Sequence, residues 1–194
     1  MTYAKEQQNQ IRQNMLNQRN HLTASAQQTA SSQLCQIIQS SSFFMNHQRF
    51  GIYHAINNEI SLGPLIELIW ESDKMCALPA FHPHLDNTLC FLPYTQTTEL
   101  IQGPMHTQTP PYCPKNSIAP WELDVVFVPL VAFDAHKNRI GYGKGCYDRS
   151  FGFRRTTTKP LLIGCAYHFQ QSNPIDSNPW DIALDQVVTE IKVI

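Results

Sequence analysis

The residues best suited to chemistry in this 194-residue chain lie between positions 139 and 148. The segment RIGYGKGCYD holds two cations, Arg139 and Lys144, three glycines in alternation, and the carboxylate of Asp148. Alternating glycines let backbone N–H groups approach a phosphate without hindrance from a Cβ atom. The cations would neutralise phosphate charge, and a carboxylate is a hard oxygen ligand suited to Mg²⁺. These residue types indicate a site for a phosphate and its metal, with a tight structural loop as the alternative.

A strand and a short helix are predicted on either side of this segment. The apolar run Val125–Pro129 predicts a buried strand, and the residues at 146–153 predict a helix whose positive N-terminal end favours an anion. The segment is not a Walker A loop, because Gly145 follows Lys144 where that motif needs Ser or Thr. It also departs from the Rossmann glycine pattern, since Cys146 occupies the position of the third glycine.

The elements that must position this segment follow from hydrophobic spacing. Short apolar runs predict further strands at Phe50–Ala55, Met75–Ala80, Leu89–Tyr94 and Leu161–Tyr167. Helical spacing predicts helices at 25–40, at Pro64–Trp70 and over an earlier segment that carries Ile11, Met15 and Leu16. Strands that alternate with helices indicate an α/β fold. We expect a single three-layer domain over residues 1–194, with a mostly parallel central sheet flanked by helices.

Two local features are also predicted. Ser25 and Gln28 are expected to form a capping box at the start of the helix at 25–40, with Leu22 as its hydrophobic staple. The Pro-rich stretch at 102–120 is predicted to be an ordered surface excursion rather than a linker, because a strong strand follows it directly.

Composition narrows the classes of partner. Charged residues make up 15% of the chain, whereas about 25% is typical of soluble domains, and the net charge is −1. That balance argues against nucleic acid and against an anionic membrane surface as partners. No apolar run is long enough to span a membrane, and the polar N-terminal segment lacks the apolar core of a signal peptide. The six cysteines form no C-x-x-C pair, so a reduced, cytoplasmic protein is expected.

The string VPLVAFD…NRIGYGKGCYDR resembles the signature of the 5-formyltetrahydrofolate cyclo-ligase family, whose members are also called 5,10-methenyltetrahydrofolate synthetases. Upstream, IRQNMLNQRNHLT resembles the family's arginine-bearing N-terminal helix. Downstream, LIGCA at 162–166 and the acids Asp181, Asp185 and Glu190 resemble its closing region. The resemblance covers roughly residues 8–193 and implies a Rossmann-like fold of the cyclo-ligase type.

The resemblance also implies an activity. Family members use MgATP to convert 5-formyltetrahydrofolate to 5,10-methenyltetrahydrofolate, with ADP and phosphate as the other products. The formyl oxygen is phosphorylated first, and N10 then closes the ring as phosphate leaves. The implied cofactors are ATP and Mg²⁺, and the implied partners are small molecules, with the chain expected to act as a monomer. Two alternatives remain, namely a non-catalytic nucleotide- or folate-binding module, and an enzyme of the sugar-phosphate isomerase type on a related scaffold.

The same resemblance assigns roles to individual residues. Catalytic roles are implied for Lys144 and Arg139. Contacts to ATP are implied for Arg12, Arg139, Ile140, Gly141, Tyr142, Gly143, Lys144, Gly145, Cys146 and Tyr147. Contacts to the folate are implied for His54, Glu59, Tyr142 and Cys146, and Mg²⁺ ligation for Asp148 and Asp181. Asp185 is predicted to be structural. Gln8 stands where the family has a basic residue, with Lys5 as a candidate substitute.

Overall fold

The computed structural model describes the backbone of residues 2–194 and the side chains of residues 5–194. The α-helices are α1 (Thr2–Asn20), α2 (Ala24–Gln39), α3 (Ser42–Met45), α4 (Gly63–Glu71) and α5 (Cys146–Ser150). The strands are β1 (Arg49–Gly51), β2 (Met75–Phe81), β3 (Leu89–Pro93), β4 (Ile101–Gln102), β5 (Gln108–Thr109), β6 (Val125–Pro129), β7 (Ala132–Phe133), β8 (Arg139–Ile140), β9 (Leu161–Cys165) and β10 (Gln186–Val188). Short 3-10 segments occur at Pro104–His106, Pro114–Asn116, Pro120–Glu122, Gly152–Arg155 and His168–Gln170.

A six-stranded sheet forms the centre of the fold, in the order β10-β9-β6-β1-β2-β3. Neighbouring strands from β10 to β2 run parallel, and β3 pairs antiparallel with β2 at the edge. The chain moves from β1 to β2 on one side and later returns to place β6 on the other side of β1. Ligands of open α/β sheets bind beyond the carboxyl ends of the strands at such a reversal of strand order. The predicted α/β class with a mostly parallel sheet is therefore confirmed.

The two faces of the sheet are buried differently. On one face, α2, α3 and α4 pack against alternate strand residues, among them Phe127 and Ile163. On the other face, the intervening residues, such as Val126 and Leu162, lie under α5 and the loops around it. This alternation is what parallel strands covered on both sides require. The helical cover on this second face is small, because α5 has only five residues.

The observed start of α2 differs from the predicted one because a side-chain cap, rather than the apolar pattern, sets it. The hydroxyl of Thr23 accepts a hydrogen bond from the Ala26 N–H at 3.2 Å, so α2 begins at Ala24. The predicted capping box of Ser25 and Gln28 is therefore wrong, because both residues already lie within the first turns of the helix.

Two strands differ from the sequence expectation. The strand predicted at Phe50–Ala55 ends at Gly51, and the residues after it leave the sheet toward the candidate site described below. Strand β10 had no prediction, because a three-residue edge strand gives almost no periodic signal. The Pro-rich stretch is ordered and holds the β4–β5 hairpin. Within residues 2–194, no helix is both long and apolar enough to cross a membrane.

Candidate active site

A cavity of about 970 Å³ opens at the carboxyl edge of the sheet, where β1 and β6 diverge. That volume is at the upper end of the range typical of small-molecule sites. The loop after β1, the end of β6, the segment 138–149 and the segment 177–183 all border it, and Met105, Thr107 and Gln108 border it from the Pro-rich stretch. Every residue that the sequence assigned to the site lines this one cavity.

A buried aspartate shapes the turn that delivers Arg139 to the cavity. Asp134 is 1% exposed, and its carboxylate accepts hydrogen bonds from the N–H groups of His136, Asn138 and Ile175 and from the Asn138 side-chain amide, each at 2.9 Å. Burial alone would raise the pKa of Asp134, but these four donors lower it below its ordinary value. The turn closes the β7–β8 hairpin, so Arg139, the first residue of β8, is held at a fixed position.

Arg139 and Asp148 face each other across the loop that joins β8 to α5. The guanidinium Nη2 of Arg139 donates to Oδ1 of Asp148 at 2.6 Å, and the Arg139 side chain is only 8% exposed. Arg139 also donates to the Ile182 carbonyl, while the Ile182 N–H donates to the same Oδ1 at 3.1 Å. These contacts fasten the 177–183 segment to the glycine-bearing loop and fix the direction of both charges.

The three glycines of the loop differ in backbone conformation and in surroundings. Gly143 and Gly145 have φ angles of +87° and +65°, a region that glycine enters without the strain of a Cβ atom. Gly145 caps the N-terminus of α5, whereas a Cβ at Gly141 would meet no atom within 4 Å. The Gly141 carbonyl accepts a hydrogen bond at 2.8 Å from Nε of Arg12, which brings α1 to the loop. The loop thus turns its backbone toward the cavity beside a guanidinium group.

The side chains of the loop divide between the cavity and the core. Lys144 is exposed, and its ammonium group makes no hydrogen bond or ion pair within residues 5–194. The side chain of Ile140 is buried beside Ala132 and contributes backbone to the cavity. Tyr147 stacks on Phe151 with ring centroids 6.0 Å apart. Lys144 is therefore the cation of this loop with its charge available to a ligand.

Glu59 is a buried carboxyl group with one oxygen unsatisfied. Its side chain is 5% exposed, and Oε2 accepts a hydrogen bond from the Ile56 N–H at 3.0 Å. The other oxygen, Oε1, is buried and has no hydrogen-bond partner among the described residues. Burial raises the pKa of Glu59 to about 7, although the Ile56 N–H, the nearby Arg19 and the nearby Tyr142 hydroxyl oppose the shift. Buried polar atoms are almost always satisfied, so an unpartnered acceptor at the cavity wall points to a ligand that carries a donor.

Two further cavity residues have defined surroundings. Nε2 of His54 lies 3.2 Å from the Tyr94 hydroxyl, and burial lowers the pKa of His54, so its imidazole is neutral at pH 7. Cys146 is half-buried, and burial raises the pKa of its thiol despite the nearby Arg149. This direction is opposite to the lowering that a helix N-terminus by itself would produce, because desolvation outweighs the nearby cations Arg149 and Lys144.

The acidic residues after β9 separate into a cavity residue and a structural one. Asp181 borders the cavity, and its Oδ2 accepts hydrogen bonds from the Asn178 N–H at 2.7 Å and from the Asn178 side chain at 3.1 Å. Asp185 instead binds Arg154 through both carboxylate oxygens and receives the Leu162 N–H at 2.7 Å. The predicted structural role of Asp185 is confirmed, since it fixes the start of β9.

The donor set at this edge fits a magnesium ion held mainly by other ligands. Asp148 and Asp181 each have one oxygen that makes no hydrogen bond to a described residue. No cluster of three or more His, Cys, Asp or Glu with metal-binding geometry occurs in the part of the chain that the structure describes. Mg²⁺ is commonly held by one or two carboxylates together with water and substrate phosphates, so two acids suffice.

Helix α1 contributes one residue that the sequence assignment missed. Arg19 is fully buried and contacts the loop after β1, the loop after β6 and Tyr142. A signal for it exists, because Arg19 continues the face of Ile11 and Met15 at intervals of four residues. Gln8 borders the cavity and donates to the Asp176 carbonyl at 2.7 Å, whereas Lys5 is exposed and outside the cavity lining. Of these two, Gln8 is the residue beside the site.

The fold and the site define an α/β protein with a cationic, glycine-bearing loop beside a cavity at the switch point of a parallel sheet. A sequence profile described as the 5-formyltetrahydrofolate cyclo-ligase family matches residues 4–190. The chain belongs to this family.

Relatives agree with this assignment. The chain is 34% identical over 143 residues to the 5-formyltetrahydrofolate cyclo-ligase of Escherichia coli K12, with 73% of this chain and 78% of the relative covered. It is 33% identical over 142 residues to the enzyme of the same name from Haemophilus influenzae, with 73% and 75% covered.

Two solved structures have a similar fold. The NMR structure of Aquifex aeolicus 5,10-methenyltetrahydrofolate synthetase has a TM-score of 0.81 and 28% identity, with 96% of this chain and 91% of the other covered. A 5,10-methenyltetrahydrofolate synthetase from Mycoplasma pneumoniae has a TM-score of 0.74 at 23% identity, with 94% and 98% covered, and supports the fold alone.

Proposed function

We propose that this protein is a 5-formyltetrahydrofolate cyclo-ligase, which uses ATP and Mg²⁺ to form 5,10-methenyltetrahydrofolate, ADP and phosphate. Membership of the family supports the reaction, and the cavity supports it independently. The observation that carries it is the meeting, in one cavity, of a cationic glycine loop at 139–148 and the buried carboxyl group of Glu59. A phosphate donor and a ligand with hydrogen-bond donors would therefore bind side by side.

The phosphate side of the site is assigned to the loop and to α1. We assign ATP contacts to the backbone of 140–147 and to the cations Arg12, Arg139 and Lys144. The two arginines already hold fixed positions, so they cost no reorganisation when phosphate charge arrives. Lys144 has no partner to surrender within the described residues, so its ammonium is assigned to the transferred phosphoryl group.

The folate side is assigned to the residues that follow β1 and to the inner wall of the loop. Glu59 would accept N–H donors of the reduced pterin through Oε1, the atom that otherwise stays unsatisfied. His54, Tyr142 and Cys146 border the same cavity and are assigned to contact the substrate. A neutral His54 suits a neutral ring system better than an imidazolium would.

The proposed reaction proceeds in two bond-changing steps. The formyl oxygen attacks the γ-phosphorus of ATP, so a C–O–P bond forms and the bond from that phosphorus to ADP breaks. The N10 lone pair then attacks the formyl carbon, the ring closes, the C–O bond to phosphate breaks and the N10 proton is lost. Protein groups need to supply alignment and charge neutralisation rather than a covalent intermediate.

Asp148 and Asp181 are assigned as the residues that would hold Mg²⁺. When bound, the ion would neutralise charge on the phosphates of ATP. The contribution of Asp148 includes a second task, because its Oδ1 orients Arg139 at 2.6 Å. The contribution of Asp181 depends on Asn178, which holds the other face of its carboxylate.

The surroundings of the enzyme are also proposed. Six free cysteines fit a reducing compartment, so we assign the protein to the cytoplasm. We propose that it acts on small molecules as a monomer with one domain over residues 1–194, because a single chain supplies every group assigned to the site. Light scattering on the purified protein should then give the mass of one chain.

The activity is tested by mixing the protein with MgATP and 5-formyltetrahydrofolate and following the near-ultraviolet absorbance of the methenyl product. We expect product and ADP in equal amounts, and none without ATP. A folded protein that binds ATP without turnover would be a binding module. ATP-independent activity on a sugar phosphate, without methenyl product, would identify an isomerase instead.

A further inference from the structure

Arg19 is a charged side chain in an unusual place. It lies one residue before the end of α1, and its exposed fraction is 0%. Charged residues are almost never fully buried unless they are paired, because removal of the charge from water is costly. Within residues 5–194 no carboxylate forms an ion pair with it, although the buried Glu59 lies near enough for the two charges to interact. Its burial therefore has to be explained by other contacts.

Neutral oxygens from three segments bind the guanidinium in place of an ion pair. Nη2 and Nε of Arg19 donate to the Asn57 carbonyl at 2.6 and 3.2 Å, and Nη1 donates to the Leu130 carbonyl at 3.3 Å. Nη2 also donates to the Tyr142 hydroxyl at 2.5 Å, and the guanidinium lies 5.8 Å from the centre of the Tyr142 ring. One planar group thus joins the loop after β1, the loop after β6 and the glycine-bearing loop.

The contact to Asn57 acts on the segment that ends at Glu59. Asn57 and Asn58 have φ angles of +48° and +57°, so this turn has a left-handed backbone without a glycine. Two N–H groups on the Asn57 carbonyl and a 3.2 Å hydrogen bond from Asn58 to Asn20 tie the turn to the end of α1. Glu59 follows directly, so its position in the cavity depends on this attachment.

We propose that Arg19 is a positioning residue that holds the glycine-bearing loop, through Tyr142, against the 57–59 turn that carries Glu59, and so sets the separation of the ATP and folate sites. This inference rests on the proposed function. Phosphoryl transfer to the formyl oxygen requires both substrates to be aligned at once, and a displacement of about 1 Å can cost about 100-fold in rate. A guanidinium can span both sides because its donors are rigid and planar, whereas a lysine ammonium reaches only one.

The test compares Arg19→Lys, which keeps the charge, with Tyr142→Phe, which removes the hydroxyl that accepts from Arg19 and leaves the other contacts of Arg19 in place. Because Tyr142 is also assigned to the folate, ATP is the substrate whose KM reports on alignment. For each variant we expect kcat to fall roughly 10- to 100-fold, with the KM for ATP changed less than about threefold. The double variant should lose no more than the worse single variant, because both changes break the same alignment. Arg49→Lys, at the amino end of β1 and outside the cavity lining, is the control and should keep wild-type kcat.

The possible outcomes distinguish failure of the proposed function from failure of the role proposed for Arg19. If the wild-type protein produces no methenyl product, the proposed function fails. If it is active and Arg19→Lys lowers only the thermal midpoint while kcat per folded molecule is unchanged, Arg19 is structural and the inference is overturned. Losses that multiply in the double variant would also overturn it. Should Arg19→Lys fail to fold, Tyr142→Phe decides, since an unchanged kcat in that folded variant contradicts the inference.

Discussion

At the scale of single residues, the chain concentrates scarce charge around one cavity. Only 15% of its residues are charged, yet Arg12, Arg139, Lys144 and Asp148 all border the same space. Most of these charges already have protein partners that hold them in place. Lys144 is the exception among them, and it therefore offers the cleanest test of a role in charge neutralisation.

Replacement of Lys144 by alanine should lower kcat by roughly 100- to 1,000-fold, the loss typical when one group that stabilises developing charge is removed. The thermal midpoint should stay unchanged, because the Lys144 side chain is exposed and makes no contact that the fold needs. Steady-state kinetics and thermal unfolding check both expectations. Lys115→Ala, another exposed lysine outside the cavity, is the control, and wild-type kcat in Lys144→Ala would remove Lys144 from the site.

Glu59→Gln should change how stability depends on pH. The folded pKa of Glu59 is about 7 and its ordinary value is near 4.5, so the folded state binds the extra proton between those values. The contribution of Glu59 is therefore fully present below pH 4.5 and is lost as pH rises through 7. Urea unfolding should show wild type losing on the order of 3 kcal/mol relative to Glu59→Gln across this window. A constant difference between the two proteins would contradict the assignment.

Sequence patterns pointed to the residues that lie in a recognisable local motif and missed Arg19, which lies in none. Arg139 to Asp148 stand out because glycines and charges alternate within ten positions. Arg19 acts through carbonyls at positions 57 and 130, which any residue type would supply. Its burial was nonetheless predictable in principle, since it shares the helix face of Ile11 and Met15.

At the scale of elements, a short hairpin positions one of the cations of the site. Asp134 holds the turn between β7 and β8, and that turn delivers Arg139. Element type followed from apolar spacing, but the limits of β1 and α2 did not. The hydroxyl of Thr23 sets the start of α2, and the departure of the chain toward the cavity after Gly51 ends β1.

Replacement of Asp134 by alanine should lower the free energy of unfolding by about 3–5 kcal/mol, because four donors lose their acceptor in a buried place. The KM for ATP should rise in whatever protein remains folded, since Arg139 loses its fixed position. Denaturant unfolding and kinetics measure these effects. The exposed Asp86→Ala is the control, and a loss no larger than in that control would show that the turn holds without the carboxylate.

Asp134 also affects how the free energy of unfolding depends on pH in the acidic range. Its folded pKa is lowered, so its contribution to stability is present above the pKa of the unfolded chain and is lost as pH falls through the folded pKa. The difference in free energy of unfolding between wild type and Asp134→Ala should therefore shrink as the pH falls, and urea unfolding at several acidic pH values measures it.

At the scale of the whole molecule, the order of strands selects the place for the site. The parallel strands reverse their order between β1 and β6, and the cavity opens there. The α/β class was predictable because apolar runs alternate with helical spacing. The pairing of β6 with β1, which creates the switch point, was not, because Gly51 and Val126 are distant in sequence and no local pattern records their contact.

Ligand binding at this switch point should stabilise the whole fold. Segments 52–59, 138–149 and 177–183 border the cavity, so a ligand bound by all three opposes their separation on unfolding. A ligand at 100 times its Kd contributes about 2.7 kcal/mol, which is about 5–10 °C in Tm for a protein of this size. Differential scanning fluorimetry with MgATP should show this shift, and Lys144→Ala should reduce it. An unchanged Tm at saturating MgATP would contradict binding of ATP at this site.

The most direct test of the central claim follows the formyl oxygen. With ¹⁸O in the formyl group of 5-formyltetrahydrofolate, phosphorylation of that oxygen and departure of phosphate must carry the label into inorganic phosphate. Mass spectrometry of the phosphate after one turnover with unlabelled MgATP should find one ¹⁸O atom for each methenyl product formed. Unlabelled phosphate, or methenyl product formed without ATP, would contradict the account.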